Sequence, residues 1–184
     1  MSDGRSRVPG RGPWSFWALP RTRSLIAVLT TLRILHVLSA SVWVGGTVAL
    51  VFVGVPAIRK LEGEARATAM RALGRRWRPL GWSAMAVAVL SGLWLTELHG
   101  GFSRTSLDSD FDRTLIAKSV LVALLVAGAL VHDYVLGPRL QHELRAADPA
   151  APATRRRLVV VGWTNFALTL AVPILGAVVL TTLD

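Results

Sequence analysis

The sequence predicts an all-α integral membrane protein, a four-helix bundle built as two pseudo-repeated helical hairpins. Three observations predict it. Four apolar runs, at about 34–58, 79–97, 114–136 and 158–183, each approach the roughly 20 residues a helix needs to cross the hydrocarbon core. The 21 Lys and Arg residues gather outside those runs, although 52% of the chain is hydrophobic and its mean hydropathy is +0.49. Residues also recur in order. Gly46, Val53 and Pro56 return 82 positions on as Gly128, Val135 and Pro138, and Gly81-Trp82-Ser83 returns 81 positions on as Gly162-Trp163-Thr164.

Residues 1–23, rich in Arg, Gly, Pro and Ser, read as a flexible tail without the apolar core and cleavage site of a signal peptide. Trp14 and Trp17 suit the membrane interface. Residues 24–184 form the transmembrane domain. Its first span carries no charge from Ile34 to Ile58, and Gly45-Gly46 within it allows close approach of a helix or a flat cofactor. The other spans follow from the same hydropathy, and lipid requires each to be helical, because only a helix satisfies its own backbone there.

The basic residues set the topology. Segment 59–78 carries seven and 137–157 carries five, whereas 99–113 carries two. By the positive-inside bias both basic loops are expected on the cytoplasmic side of the plasma membrane, with both termini outside, against the five arginines before Ser24. Segment 61–78 is also suited to lie as a basic helix on the headgroups. A net charge of +10 would suggest nucleic acid in a soluble chain. Here the charges flank apolar spans and no basic groove is interleaved with aromatics, so lipid headgroups are the expected partner and nucleic acid is not.

No cysteine is present, which excludes disulfides, thiolate zinc sites and iron–sulfur clusters. Three methionines, Met1 included, make no Met-rich copper(I) relay. The polar groups inside the spans include neither paired carboxylates nor a Ser–His–Asp set at one depth, so nothing points to hydrolysis. An enzyme is less expected than a non-enzyme.

What remains is a small set of ionisable groups where water is scarce, each a functional candidate by default. Under the repeat, His36 corresponds to Lys118, which places both at one depth near the outer side, with His99 at its edge. His36, Trp43 and Gly46 lie on one stripe of the first helix, and Met85, Gly92 and His99 on one stripe of the second. Two histidines on antiparallel helices can clamp a haem or bind a copper or zinc ion. Each candidate also has a plain structural reading. His36 can bond a neighbouring backbone, and His99 can be an interfacial side chain. Lys118 can snorkel or pair with Glu97, or else hold a propionate, phosphate or substrate anion. Lys118 and His132, 14 residues apart, are separated by roughly 21 Å of helical rise, so His132 and Asn165, with Asp133 nearby, belong to a second, inner site. The His132-Asp133 pair can equally meet arginines of the following loop. His142 reads as solvated, and Trp43, Trp82, Trp94 and Trp163 as packing or belt residues.

The stretch from Leu35 and His36 through Trp43, Gly45 and Gly46 to Pro56 resembles the first helix of CopD-type copper resistance membrane domains. Phe111 to Lys118, and Val131-His132-Asp133 to Gly137-Pro138-Arg139, resemble that group's third-helix signature. The resemblance runs from Arg33 to the C-terminus. It implies a plasma-membrane protein of copper handling or transport, with His36 and His99 as outer ligands. The same superfamily contains proteins similar to HemJ-type protoporphyrinogen oxidase, which share a first-helix His followed by Trp and a third-helix Lys with a later His. That likeness implies haem b, held by His36, His99, Lys118, Trp43 and Gly46, in an electron carrier or oxidase. A cofactor-free subunit of a larger membrane complex, or a homo-oligomer, is the third reading.

Overall fold

The computed structural model describes residues 19–98 and 109–181, with side-chain surroundings for 24–98 and 109–178. Helix α1 (Leu19–Ala49) passes through a π-helical turn (Leu50–Gly54) into α2 (Val55–Arg59). Helix α3 (Gly63–Leu98) returns. The second half repeats this order, with α4 (Asp110–Leu130), a π-helical stretch (Val131–Leu136), α5 (Gly137–Arg145) and α6 (Ala151–Thr181). Helix α1 packs mainly on α3, α4 mainly on α6, and α1 touches α6. The result is a four-helix membrane-spanning bundle, an all-α fold of two hairpins.

Its surface explains its solvent. Val53, Leu90 and Ile174 each expose about two thirds of their area. Buried apolar side chains among the described residues are few, Met85, Leu125 and Phe166 being the largest. Apolar surface on this scale is stable only against lipid, where the tails replace water.

The helices extend past their apolar runs. The basic segment 59–78 is neither a loop nor a separate surface helix: it turns at residues 60–62, and from Gly63 onward it is the first half of α3. Ala and Arg between Glu64 and Arg78 are good helix formers, so nothing interrupts the rod before the apolar part. Gly63 has φ of +52°, the left-handed conformation open to glycine, and it reverses the chain. Likewise α5 and the first turns of α6 carry the second basic segment, leaving a turn at 146–150. There the Asp148 N–H donates to the Glu143 carbonyl at 2.9 Å, and the Asp148 carboxylate accepts from the Ala150 N–H at 2.8 Å.

Both π-helical stretches lie just before a proline, Pro56 or Pro138. Proline lacks an N–H and its ring collides with the carbonyl four residues back. Widening the preceding turn to an i→i+5 pattern relieves the collision without ending the helix. The Gly137 N–H accordingly donates to the His132 carbonyl, five residues back. The next bond in that register would join residue 138 to the Asp133 carbonyl, which Pro138 cannot do. Arg78 of α3 supplies the missing donor, its Nη2 reaching the Asp133 carbonyl at 3.0 Å.

Close contacts lock the hairpins. A Cβ added at Gly46 would fall inside the Trp77 indole, and Trp77 also lies against Trp43, ring centroids 6.1 Å apart. In the second half, the Asn165 amide occupies the space a Cβ at Gly128 would need.

Two outcomes follow for stability in detergent. Arg78→Leu orphans the Asp133 carbonyl and should cost about 1–3 kcal/mol, and Pro138→Ala, which restores an N–H, should recover part of the loss in the double mutant. Gly46→Ala must displace Trp77, an overpacking loss of about 1–3 kcal/mol, which Trp77→Leu in the same chain should reduce. Thermal melts of the four single and two double variants check both.

Candidate functional site

A cavity of about 540 Å³ runs between α1, α3, α4 and α6. Helix α4 lines it from Leu115 to Leu130, and α3 lines it from Met85 to Thr96. Most of its wall is aliphatic. Two ionisable side chains face it, His36 and Lys118, so the two positions matched by sequence offset meet in one space.

The His36 ring is held by α3. Its Nδ1 lies 2.8 Å from the Ala88 carbonyl and 3.3 Å from Ser91 Oγ. A carbonyl only accepts, so Nδ1 carries the proton and Nε2 keeps its lone pair. This is the tautomer of a metal-binding imidazole whose second ring nitrogen is fixed by a backbone carbonyl. The Ser91 hydroxyl is committed to its own helix, donating to the Val87 carbonyl at 2.5 Å. A Cβ at Gly92 would lie 3.0 Å from His36 Cε1, so this glycine makes room for the ring. Thus Nδ1 of His36 bonds the neighbouring backbone, as its plain structural reading expects.

Lys118 sits across the cavity on α4. Its Nζ would be 3.4 Å from a Cβ at Gly176 of α6, as the His36 ring is close to Gly92 of α3. No bond to Glu97 forms, and among the described residues no carboxylate pairs with Lys118. One turn pair below His36, Trp43 also lines the cavity and its indole N–H donates to the buried Thr169 hydroxyl at 3.3 Å, tying α1 to α6. Gly46 does not face the cavity, because Trp77 fills the space beside it. His99 follows the last residue of α3 and lies outside the described residues.

The inner candidates are a separate cluster on the π-helical stretch. His132 Nδ1 is 2.9 Å from Asp133 Oδ1, and the Trp82 indole N–H donates to Asp133 Oδ2 at 3.1 Å. Arg78 stands 6.0 Å over the Tyr134 ring as well as bonding the Asp133 carbonyl. His132 Nε2 would lie 3.5 Å from a Cβ at Gly162 of α6. Asn165 is on the next turn, packed on Gly128, and does not bond His132. The plain expectation for this pair was arginines of the following loop; instead Arg78 of α3 bonds the Asp133 backbone carbonyl, Trp82 takes the carboxylate, and Arg139 of the following segment pairs with Glu143.

Sequence reasoning overlooked Arg78, Ser91 and Thr169. Arg78 was legible in principle, since a proline inside a membrane helix predicts a side-chain donor nearby. Ser91 and Thr169 resemble any small polar residue of a membrane helix and carried no signal. Among the described residues no three His, Asp or Glu side chains converge, so a metal ion at His36 would need donors beyond these.

Known proteins align with this picture. "Inner membrane protein YebZ" of Escherichia coli (strain K12) is 30% identical over 118 residues, covering 64% of this chain and 38% of that protein. The chain therefore spans well under half the length of that curated relative. No solved structure matches. Residues 70–180, more than half of the chain, match the family described as copper resistance protein D, and the chain belongs to this CopD family.

Proposed function

We propose that this membrane protein handles copper, with His36 as the imidazole that receives the ion inside the bundle and His99 as its second ligand. The observation that carries the reading is the His36 tautomer: Nδ1 is anchored on the Ala88 carbonyl, leaving Nε2 a neutral donor at an apolar cavity. The family's description, copper resistance, supports copper as the metal handled. Imidazole binds copper in either oxidation state. In this reading the basic ends of the helices face the cytoplasm, as the positive-inside bias requires.

The two hairpins are read as a duplicated unit. Supporting this, each half carries a π-helical stretch ahead of its proline, and His36 and Lys118, 82 positions apart, each pack on a glycine of the partner helix. The duplication gave one copy an imidazole and the other an ammonium.

A second reading, haem b, is favoured by the cavity itself. A volume of about 540 Å³ with aliphatic walls and one fixed imidazole is of the kind that holds a flat organic group. His36 and Lys118 would hold the haem, and haem would supply one-electron redox chemistry. A cofactor-free subunit of a larger complex is the outcome if neither ligand binds.

Purified protein in detergent separates these readings. Metal analysis should find about one copper per chain, lost in His36→Ala, with no Soret band even after haem supplementation. A Soret band abolished by His36→Ala would instead establish the haem reading, and absence of both copper and haem would leave the subunit. Gly92→Ala, which pushes on the ring from the α3 side, should weaken copper binding by about tenfold without removing the ligand, as measured by competition with a copper(I) chelator.

A further inference from the structure

We propose that the cavity opens sideways into the bilayer between α3 and α4 and holds one long-chain fatty acid, its carboxylate at Lys118 and its tail along α4. The inference goes beyond the copper reading and does not rest on it. The ligand it names is held by the ammonium and the apolar walls, not by the imidazole.

The opening follows from how the helices pair. Helix α1 packs on α3, α4 packs on α6, and α1 meets α6, whereas α3 and α4 line the same cavity with little packing between them. The exposed lining residues gather mainly along that seam: Leu93 on α3, and Ala123, Ala127 and Leu130 on α4. The last three recur at four- and three-residue spacing, so they form one edge of α4. None of the lining residues of α1 is exposed. In a bilayer the exposed edge meets acyl chains, and the seam is a mouth for a ligand dissolved in lipid rather than in water.

Two properties of the interior select the ligand. The first is charge. Ser91, Ser119 and Thr96 donate their hydroxyl protons to carbonyls of their own helices, and the Trp43 indole donates to Thr169. His36 turns only a lone pair to the space, its Nδ1 proton being held by the Ala88 carbonyl. That leaves the Lys118 ammonium, half-buried and without a carboxylate partner among the described residues. An ammonium among aliphatic walls is matched by an anion that accepts its hydrogen bonds. The second property is length. From Lys118 to Leu130, α4 walls the cavity over a rise of about 18 Å. One leaflet contributes roughly 15 Å to the hydrocarbon core, so an extended acyl chain fits along this wall. Lys118 also lies about 7 Å beyond Arg113, the last charged residue before the span. A carboxyl group at the end of a single chain reaches that depth, whereas a bulky phosphodiester headgroup stays at the surface.

Palmitic acid carrying a diazirine near the end of its chain is the probe. It is added to the full chain in phosphatidylcholine nanodiscs, and crosslinks are mapped by peptide mass spectrometry after illumination. Labelling should concentrate on residues 126–130 of α4 and 85–89 of α3 and be displaced by unlabelled palmitate. Lys118→Met removes a charge-assisted hydrogen bond and should weaken binding by about tenfold or more, while Lys118→Arg should retain it. Ala127→Phe narrows the mouth and leaves the ammonium in place. It should also reduce labelling, which keeps the test decisive if Lys118→Met does not fold. Labelling spread evenly over lipid-facing residues such as Phe52 and Ile174, or equal labelling by the methyl ester of the probe, overturns the proposal. Displacement by phosphatidylglycerol at the same concentration overturns it too, since the occupant is then a phospholipid.

Discussion

A backbone carbonyl without a donor costs several kcal/mol in hydrocarbon, and the architecture follows from how this chain meets that demand at Pro56 and Pro138. Each proline removes a donor inside a long apolar helix. Each is preceded by a π-helical turn that carries the helix onward in a wider register. In the second hairpin the wider register exposes the Asp133 carbonyl, and Arg78 crosses from α3 to fill it. That one bond places a guanidinium within the bundle and ties α3 to the π-helical stretch, where the Trp82 indole also donates to the Asp133 carboxylate. The His132-Asp133 pair is therefore organised by a backbone requirement before any ligand is considered.

The same economy of polar groups shapes the cavity. Polar side chains along it are spent within the protein: Ser91 on its own helix, Trp43 on Thr169, His36 Nδ1 on the Ala88 carbonyl. What is left is an aliphatic space with one imidazole lone pair and one ammonium. The glycines facing those two groups, Gly92 and Gly176, explain how bulky ionisable side chains fit at a helix–helix contact that elsewhere admits only small residues. Gly46 and Gly128 have the opposite fate, since Trp77 and Asn165 close the space beside them. Four glycines of one sequence appearance thus serve two different ends.

Much of this was legible in the chain. Hydropathy located four spans, the offset between halves paired His36 with Lys118, and the two do face one cavity. Helix ends were less legible, because apolar runs report contact with lipid tails whereas helices continue into basic Ala- and Arg-rich segments.

By itself the sequence determined the solvent, the helical class and the number of spans, because these depend on length and apolar content along a single helix. Only the tertiary structure decided which nitrogen of His36 keeps its lone pair, that Gly46 is filled and Gly92 is not, and that Arg78 caps the break at Pro138. Those outcomes depend on which face of one helix meets which face of another. Lipid does not read that choice, so a hydropathy pattern does not record it.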